Sequence, residues 1–479
     1  MRHAIHIAQW VVFGYFLSIH LAYLLLDAVA FVTVGRSVHN RDNLVSYRRS
    51  YGLEPPVSVL VPAYNEAEVI VPTIRALLQL DYPQFEVVVV SDGSTDETVA
   101  VLIEAFQLEP CPRLYQSRLE TQPIRGVYIS RVNPALRVVD KDNGGKADSL
   151  NAALNVAQYP LFCAVDADSI LQRDSLLKVI TPFVEDPTTV AAGGTVRVLN
   201  GSEVSEGFIR QPRLPRNMLA RIQVVEYMRA FLFGRVGWSP LQGVLIISGA
   251  FGVFRRSEVV DMGGYRVDTM GEDAELVMRL HRHCRTLRRP YRIAFVPDPI
   301  CWTEAPEDIR SLGRQRIRWQ RGLAESLSAN MGLVKHPGVA GWVAFPFLVV
   351  FECLGPLIEL AGYSFMIGAT ILGLLSFKAM AAFMVLAVAL GTVLSLSALL
   401  LEERWFRNYT ERGALRKQVG AALFENLGFR QLVLVWRVVG LFRFCFSRDA
   451  SWGHVRRVSA AADTQPTQPP TPTETPAAA

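Results

Sequence analysis

Three observations predict an α/β fold with a mainly parallel sheet, flanked by transmembrane helices. Short β-branched runs alternate with helical patterns between residues 57 and 165. Two of those runs pass straight into acids, EVVVV into SDGSTD (Ser91–Asp96) and LFCAV into DAD (Asp166–Asp168). Long apolar runs lie on both sides, at Ile5–Val34, Gly338–Ser376 and Ala379–Leu401. Strands alternating with helices of about 10–15 residues make βα units and a parallel sheet. An apolar run of roughly 20 residues or more spans a bilayer as a helix.

In order along the chain, Ile5–Val34 predicts an N-terminal transmembrane helix over residues 1–36. The apolar core of a cleavable signal is about 7–15 residues, roughly half this run, so Ala28-Val29-Ala30 is read as uncleaved. Residues 37–54 read as a cytoplasmic linker. Residues 55–330 have ordinary soluble composition and carry the α/β domain. Its expected strands are Val57–Val61, Glu86–Val90, Leu136–Val139 and Leu161–Val165, with Val190–Val198 and Gly249–Phe254 extending the sheet. Its expected helices run up to Leu80, near Thr95–Phe106 and over Lys146–Ala157. Phe208–Pro240 reads as amphipathic, lying on the membrane or its helices, or as a plain surface helix. Residues 331–446 form a membrane region with two transmembrane helices. Val419–Phe446, interrupted by Glu425, Arg430, Arg437 and Arg443, is an interfacial or packed third helix. The Ala/Pro/Thr-rich tail, 447–479, is expected to be disordered.

Charged residues are 19% of the chain, below the usual share of about 25%, which agrees with membrane segments. A net charge of +5 is modest, and no nucleic-acid partner is expected. Arg36, Arg41, Arg48 and Arg49 follow the first apolar run; Arg404, Arg407, Arg412, Arg416 and Lys417 follow the third. The positive-inside rule puts both stretches, and the domain between them, in the cytoplasm. The six cysteines show no CxxC spacing and read as reduced packing residues rather than a zinc site. Asp27, Glu352 and Glu359 stand inside apolar runs, where acids face a bundle interior or a polar pathway.

The chemistry-bearing residues follow the strands. Ligands bind at the carboxyl ends of strands in open α/β sheets. Asp166 and Asp168, two apart at a strand end, project to one side. One suits a ribose and the other a divalent metal whose shell is completed by phosphate; a helix-capping role is the plain alternative. Asp92 ends the second strand, where it suits a base or ribose, with Thr95 or Asp96 capping the next helix. Lys146 follows Gly144-Gly145 at a helix start and suits phosphate. It is not in a Walker A loop, because Asp140 occupies the first glycine position. Glu272 and Asp273 open the GEDAELVMRL helix, where the helix dipole favours acids in any case. One of them would take a proton from an attacking hydroxyl. Gln315, Arg318 and Trp319 in QRIRW share a helical face and suit diphosphate and a sugar ring. With Arg310, Arg314, Arg316 and Arg321 they equally suit anionic lipid. Acids at strand ends, a metal and an arginine cluster fit sugar transfer from a nucleotide donor.

Taken in order, VSVLVPAYNE, SDGSTD, NGGKADSLN, DAD, SGAFGVFRR, GED and QRIRW resemble the processive family-2 glycosyltransferases of bacterial membranes, over roughly residues 55–325. LLLEERWFRNY and ENLGFRQL are most similar to the poly-N-acetylglucosamine synthase branch, beside cellulose and hyaluronan synthases. The resemblance implies a GT-A fold, a UDP-sugar donor, Mg²⁺ or Mn²⁺, and inversion to a β-linkage. It implies that Asp92 contacts the base, Asp166 the nucleotide and Asp168 the metal. It further implies that Lys146 contacts donor phosphate, with Glu272 among the donor-binding residues. Asp273 would be the general base, and Gln315, Arg318 and Trp319 would match QxxRW. Gly271 stands where the family's TED has threonine. The acceptor would be a growing polysaccharide, or a glycolipid in a single-addition enzyme; a non-catalytic receptor on the same scaffold is the third reading. Three crossings are few for a polymer channel, so a small membrane partner subunit is expected. No cyclic-dinucleotide regulatory domain is expected after Phe446. The expected location is the bacterial inner membrane, multi-pass, with the catalytic domain cytoplasmic.

Overall fold

The computed structural model describes residues 2–51, 54–111 and 115–446; the tail expected to be disordered lies outside the described residues. In chain order the strands are β1 (Val57–Ala63), β2 (Phe85–Asp92), β3 (Leu108–Pro110), β4 (Ile124–Ser130), β5 (Leu136–Lys141) and β6 (Leu161–Val165). They continue with β7 (Ile170–Leu171), β8 (Thr189–Val198), β9 (Glu203–Ser205), β10 (Phe208–Gln211), β11 (Phe251–Arg255) and β12 (Arg292–Thr303). Among the described residues they form a 10-stranded sheet ordered β3-β4-β5-β2-β1-β6-β11-β8-β12-β7, and a separate β9–β10 pair.

The centre of the sheet is parallel, because β1 pairs with β2 and β6, and β2 with β5, in the same direction. Its strands are Val-rich and buried on both faces, as parallel strands covered by helices must be. Their carboxyl ends therefore share one edge, which collects Asp92, Lys141 and Asp166. Strand β11 joins β6 antiparallel, with Phe251 opposite Val165. That reversal brings Gly249, just before β11, to the same edge.

The first strands and helices lie close to where the sequence puts them. Six strands were not anticipated: β7, β9, β10 and β12, the three-residue β3, and β4, an outer antiparallel strand whose Ile-Arg-Gly-Val alternation is broken at Gly126. Gly249 also stays outside β11. The Phe208–Pro240 segment differs more. After β10 comes a helix, Met218–Met228, capped by the Asn217 carboxamide accepting from Leu219 N at 2.8 Å. A π-helical stretch, Arg229–Arg235, continues it. Ala220, Ile222, Val224, Val225 and Met228 are all buried, so this is an interior helix and not a surface one. It packs on the helices Ala414–Phe424 and Phe377–Trp405.

Among the described residues two helices are long and apolar enough to cross a membrane, Ile5–Ser37 and Phe377–Trp405. A pair bent by 45°, Ala340–Cys353 and Gly355–Ile371, makes a third if it is one broken span. The first helix does not end at the predicted linker: it runs from Arg2 to Tyr51, since the sequence has no proline or glycine between Gly35 and Gly52. The Val419–Phe446 run is split into Ala414–Phe424 and Arg430–Phe446, with Gly428 at φ 112 between them, a conformation suited to glycine. Arg430–Phe446 packs on Ile309–Ala329, the QRIRW helix. A Cβ on Gly440 would meet the Ile317 carbonyl at 2.7 Å.

Charges within the apolar segments are paired. Glu352 binds Arg437 at 3.0 Å, Glu359 lies 3.8 Å from Arg430, and Asp27 meets Ser397. Arg197 of β8 forms a salt bridge with Glu402 at the end of the Phe377–Trp405 helix, both 1% exposed. Glu402 also accepts from Asn408 Nδ2 at 2.7 Å. This pair fastens the sheet to the membrane-type helix.

Candidate active site

The sheet edge opens into one cavity of about 2880 Å³. Asp92, Lys146, Asp166, Asp168, Glu272, Asp273, Gln315, Arg318 and Trp319 all line it, so the structure brings these nine residues to one cavity. At its centre is Lys146, the first residue of the helix Lys146–Val156, behind Gly145 at φ +89. Its Nζ lies 2.5 Å from Asp166 Oδ1 and 3.5 Å from Glu272 Oε1, and donates to the Gly249 carbonyl at 3.2 Å. Burial alone would lower the Lys146 ammonium, but Asp166 and Glu272 outweigh it and hold it above the ordinary lysine value. Burial raises the Glu272 carboxyl to about 7, against the opposing pull of Lys146.

Asp273 is fixed from two sides. Its Oδ2 accepts from Gly249 N and its Oδ1 from Ala274 N, both at 2.8 Å. Gly249 thus joins the two acidic motifs, its carbonyl on Lys146 and its amide on Asp273. A Cβ there would lie 3.0 Å from Lys146 Nζ. The sequence offered this glycine only as part of SGAFGVFRR; its signal was a glycine at the mouth of a strand.

Asp92 is nearly buried, and its carboxylate is taken up by the protein. Lys141 Nζ at 2.5 Å and Gly144 N at 3.0 Å reach Oδ1; Gly145 N at 2.7 Å and Asn143 Nδ2 at 3.2 Å reach Oδ2. A carboxylate offers about four lone-pair sites, so Asp92 braces the loop that aims Lys146. A nucleotide donor group would have to displace one of these partners. Asp96, expected as a cap, accepts from Thr98 N at 3.0 Å, the same two-residue reach by which Asn217 caps its helix, while Glu97 before the helix makes no side-chain cap bond.

On the QRIRW helix, Trp319 is 44% exposed to the cavity. Two of the neighbouring arginines turn inward, Arg316 binding Glu226 at 2.6 Å and Arg321 binding Glu325 at 2.8 Å, whereas Arg310 and Arg314 are exposed. Arg316 also lies over the Trp319 ring, 4.6 Å from its centroid. Glu325 in turn accepts from Met270 N at 2.8 Å, tying this helix to the stretch before the GED acids. Gly271 and Gly322 touch there through their backbones, and a Cβ on Gly271 would meet the Gly322 carbonyl at 2.7 Å. Gly271→Thr, which restores the residue of the family pattern, is therefore expected to destabilise this protein by about 1–3 kcal/mol through overpacking, with transfer falling alongside. Thermal unfolding of the variant checks it; an unchanged midpoint would show that the two segments part easily.

Among the described residues no group of three or more His, Cys, Asp and Glu side chains forms a metal cage. Asp166 and Asp168 present two carboxylates at the cavity wall. Magnesium and manganese are commonly held by one or two carboxylates with substrate phosphate completing the shell, and the donor set fits that arrangement.

The cavity extends past the sheet edge. Glu226, Arg229, Glu352, Glu425, Arg430 and Arg437 line its far part, paired as Arg229–Glu425 at 2.6 Å and Arg437–Glu352 at 3.0 Å.

Residues 58–256 match the family model described as glycosyl transferase family 2, and residues 161–396 match glycosyl transferase family group 2. Among curated proteins, the chain is similar to a poly-β-1,6-N-acetyl-D-glucosamine synthase of Staphylococcus epidermidis. The identity is 28% over 308 residues, 64% of this chain and 63% of that protein. A protein of the same description from Staphylococcus aureus is 31% identical over 273 residues, 57% of this chain and 55% of that protein. The chain thus spans under two thirds of the length of these relatives. Among solved structures, it resembles a mannosyltransferase from Pyrobaculum calidifontis, determined in complex with GDP-Man and Mn²⁺. The TM-score is 0.55 at 20% identity, covering 88% of this chain and 100% of that one; the likeness is one of fold.

Proposed function

Because this chain belongs to glycosyl transferase family 2, we propose that it is an inverting membrane glycosyltransferase that elongates a β-linked, exported polysaccharide from a UDP-sugar. The observation that carries this reading is the convergence of Asp166, Glu272 and Asp273, from two distant motifs, around Lys146 and Gly249 in one cavity. Asp273 takes the proton of the acceptor hydroxyl as that oxygen attacks the anomeric carbon. The bond from that carbon to the diphosphate breaks, and UDP leaves. The backbone amides of Gly249 and Ala274 hold the carboxylate in orientation. Lys146, now on Asp166, exchanges that carboxylate for donor phosphate. Arg318 and Gln315 reach the diphosphate, and Trp319 offers its face to the acceptor sugar.

Asp168, with Asp166, would hold Mg²⁺ or Mn²⁺, which would neutralise the diphosphate; the solved fold relative carries Mn²⁺ beside its nucleotide sugar. The names of the curated relatives make UDP-N-acetylglucosamine the first donor to test. The basic stretches after the first and third apolar runs favour the cytoplasm for the α/β domain, where such donors are made, and the paired charges of the far cavity suit a hydrated polymer leaving it. A small membrane subunit would complete that path.

The test is incubation of the purified full chain in nanodiscs with single UDP-sugars, followed by sizing of the product. A ladder of long β-linked products from one donor is expected. A single discrete addition to a lipid-linked acceptor would overturn processivity, and no transfer from any donor would overturn the reading itself.

A further inference from the structure

We propose that Arg235 is an acceptor-binding residue: its guanidinium donates to an oxygen of the acceptor sugar whose hydroxyl faces Asp273. This rests on the transferase reading and adds a group that neither the motifs nor the family match assigns.

Arg235 ends the π-helical stretch Arg229–Arg235 and lines the cavity together with Tyr227, Phe231, Trp319, Gly249 and Asp273. Its guanidinium lies over the Phe231 ring, Cζ 4.0 Å from the centroid, which fixes its plane. Nη1 is buried and has no hydrogen-bond acceptor among the described residues. Other arginines nearby are bound: Arg229 by Glu425 at 2.6 Å and by Ser395 at 2.9 Å, and Arg316 by Glu226 at 2.6 Å. Leaving a buried donor unpaired costs free energy, a cost that a ligand oxygen removes.

The ligand class follows from what Arg235 faces. Burial pushes its guanidinium down to about 10, and the Asp273 carboxylate is the largest charge opposing that shift. Yet among the described residues no salt bridge joins the two. A group lying between a fixed donor and a carboxylate must accept from one and donate to the other. A sugar hydroxyl does both; a phosphate would be repelled by Asp273. Aromatic rings supply the rest of a saccharide subsite, with Tyr227 and Trp319 centroids 6.5 Å apart. An arginine donating to the hydroxyl oxygen also makes that hydroxyl easier to deprotonate.

The test compares wild type, Arg235→Ala and Arg235→Lys as full chains in nanodiscs. The donor is the one selected by the UDP-sugar screen, and a short oligosaccharide of the product serves as acceptor. The expected result is a fall of tenfold or more in kcat/KM for the acceptor in Arg235→Ala, with donor Kd held within threefold. Added guanidinium at millimolar concentration should restore part of the lost rate, and Arg235→Lys should retain part of it. Rescue requires an intact pocket missing one cation, so a merely structural role would not produce it. Unchanged acceptor dependence overturns the proposal. So does a loss confined to donor affinity, which would move Arg235 to the diphosphate, or a loss without any rescue. These outcomes are read only against an active wild type, whereas a wild type silent with every donor overturns the transferase reading instead.

Discussion

Asp273→Asn is expected to cut sugar transfer by roughly 10²–10⁴-fold, the range a positioned base contributes, while the donor still binds. The substitution keeps the size of the side chain and removes its capacity to hold a proton. One carboxamide oxygen can still accept from Gly249 N or Ala274 N, the two amides that now fix the carboxylate. The substitution leaves Lys146 and Asp166, 2.5 Å apart in the free protein, untouched, so Lys146 can still exchange Asp166 for donor phosphate. Turnover with saturating donor, measured beside equilibrium binding of the same donor, separates the two effects. Undiminished turnover would sink the base assignment, and loss of donor binding would move Asp273 to the nucleotide side of the pocket.

Glu402→Ala is expected to produce the largest loss of stability, about 3–5 kcal/mol, the range for removing one partner of a buried pair. Arg197 and Glu402 are each 1% exposed, and Arg197 Nε and Nη1 have no other hydrogen-bond partner. Without Glu402 the guanidinium would be left charged inside the protein. Joint replacement, Arg197→Met with Glu402→Leu, removes both charges and should recover most of the loss. Thermal inactivation in one membrane mimetic compares the three chains. A single variant as durable as wild type, or a double variant no better than the single, would contradict this account.

Much of the fold was legible because its centre obeys local rules. Val-rich runs buried on both faces could only be interior strands, and acids directly after them had to stand at the sheet edge. The residues that complete the site were less visible. Gly249 gains its place from the antiparallel turn of β11 against β6, a pairing that no local pattern encodes. Arg235 sits in a segment read as amphipathic, whereas it packs on the neighbouring helices and turns its remaining face to the cavity. Arg316 and Arg321 counted as basic surface until their partners, Glu226 and Glu325, were seen to face them. Asp92 showed the reverse limit: its position at a strand end was readable, but not the four donors that occupy its carboxylate. Short outer strands such as β3 carry too few residues to announce themselves.

The bare backbone contact of Gly271 with Gly322 has a mechanical result. The segment ahead of Asp273 and the helix presenting Trp319 are braced spine to spine, so a tug on one drags the other along. A pull on that helix therefore leaves its spacing from the GED acids intact.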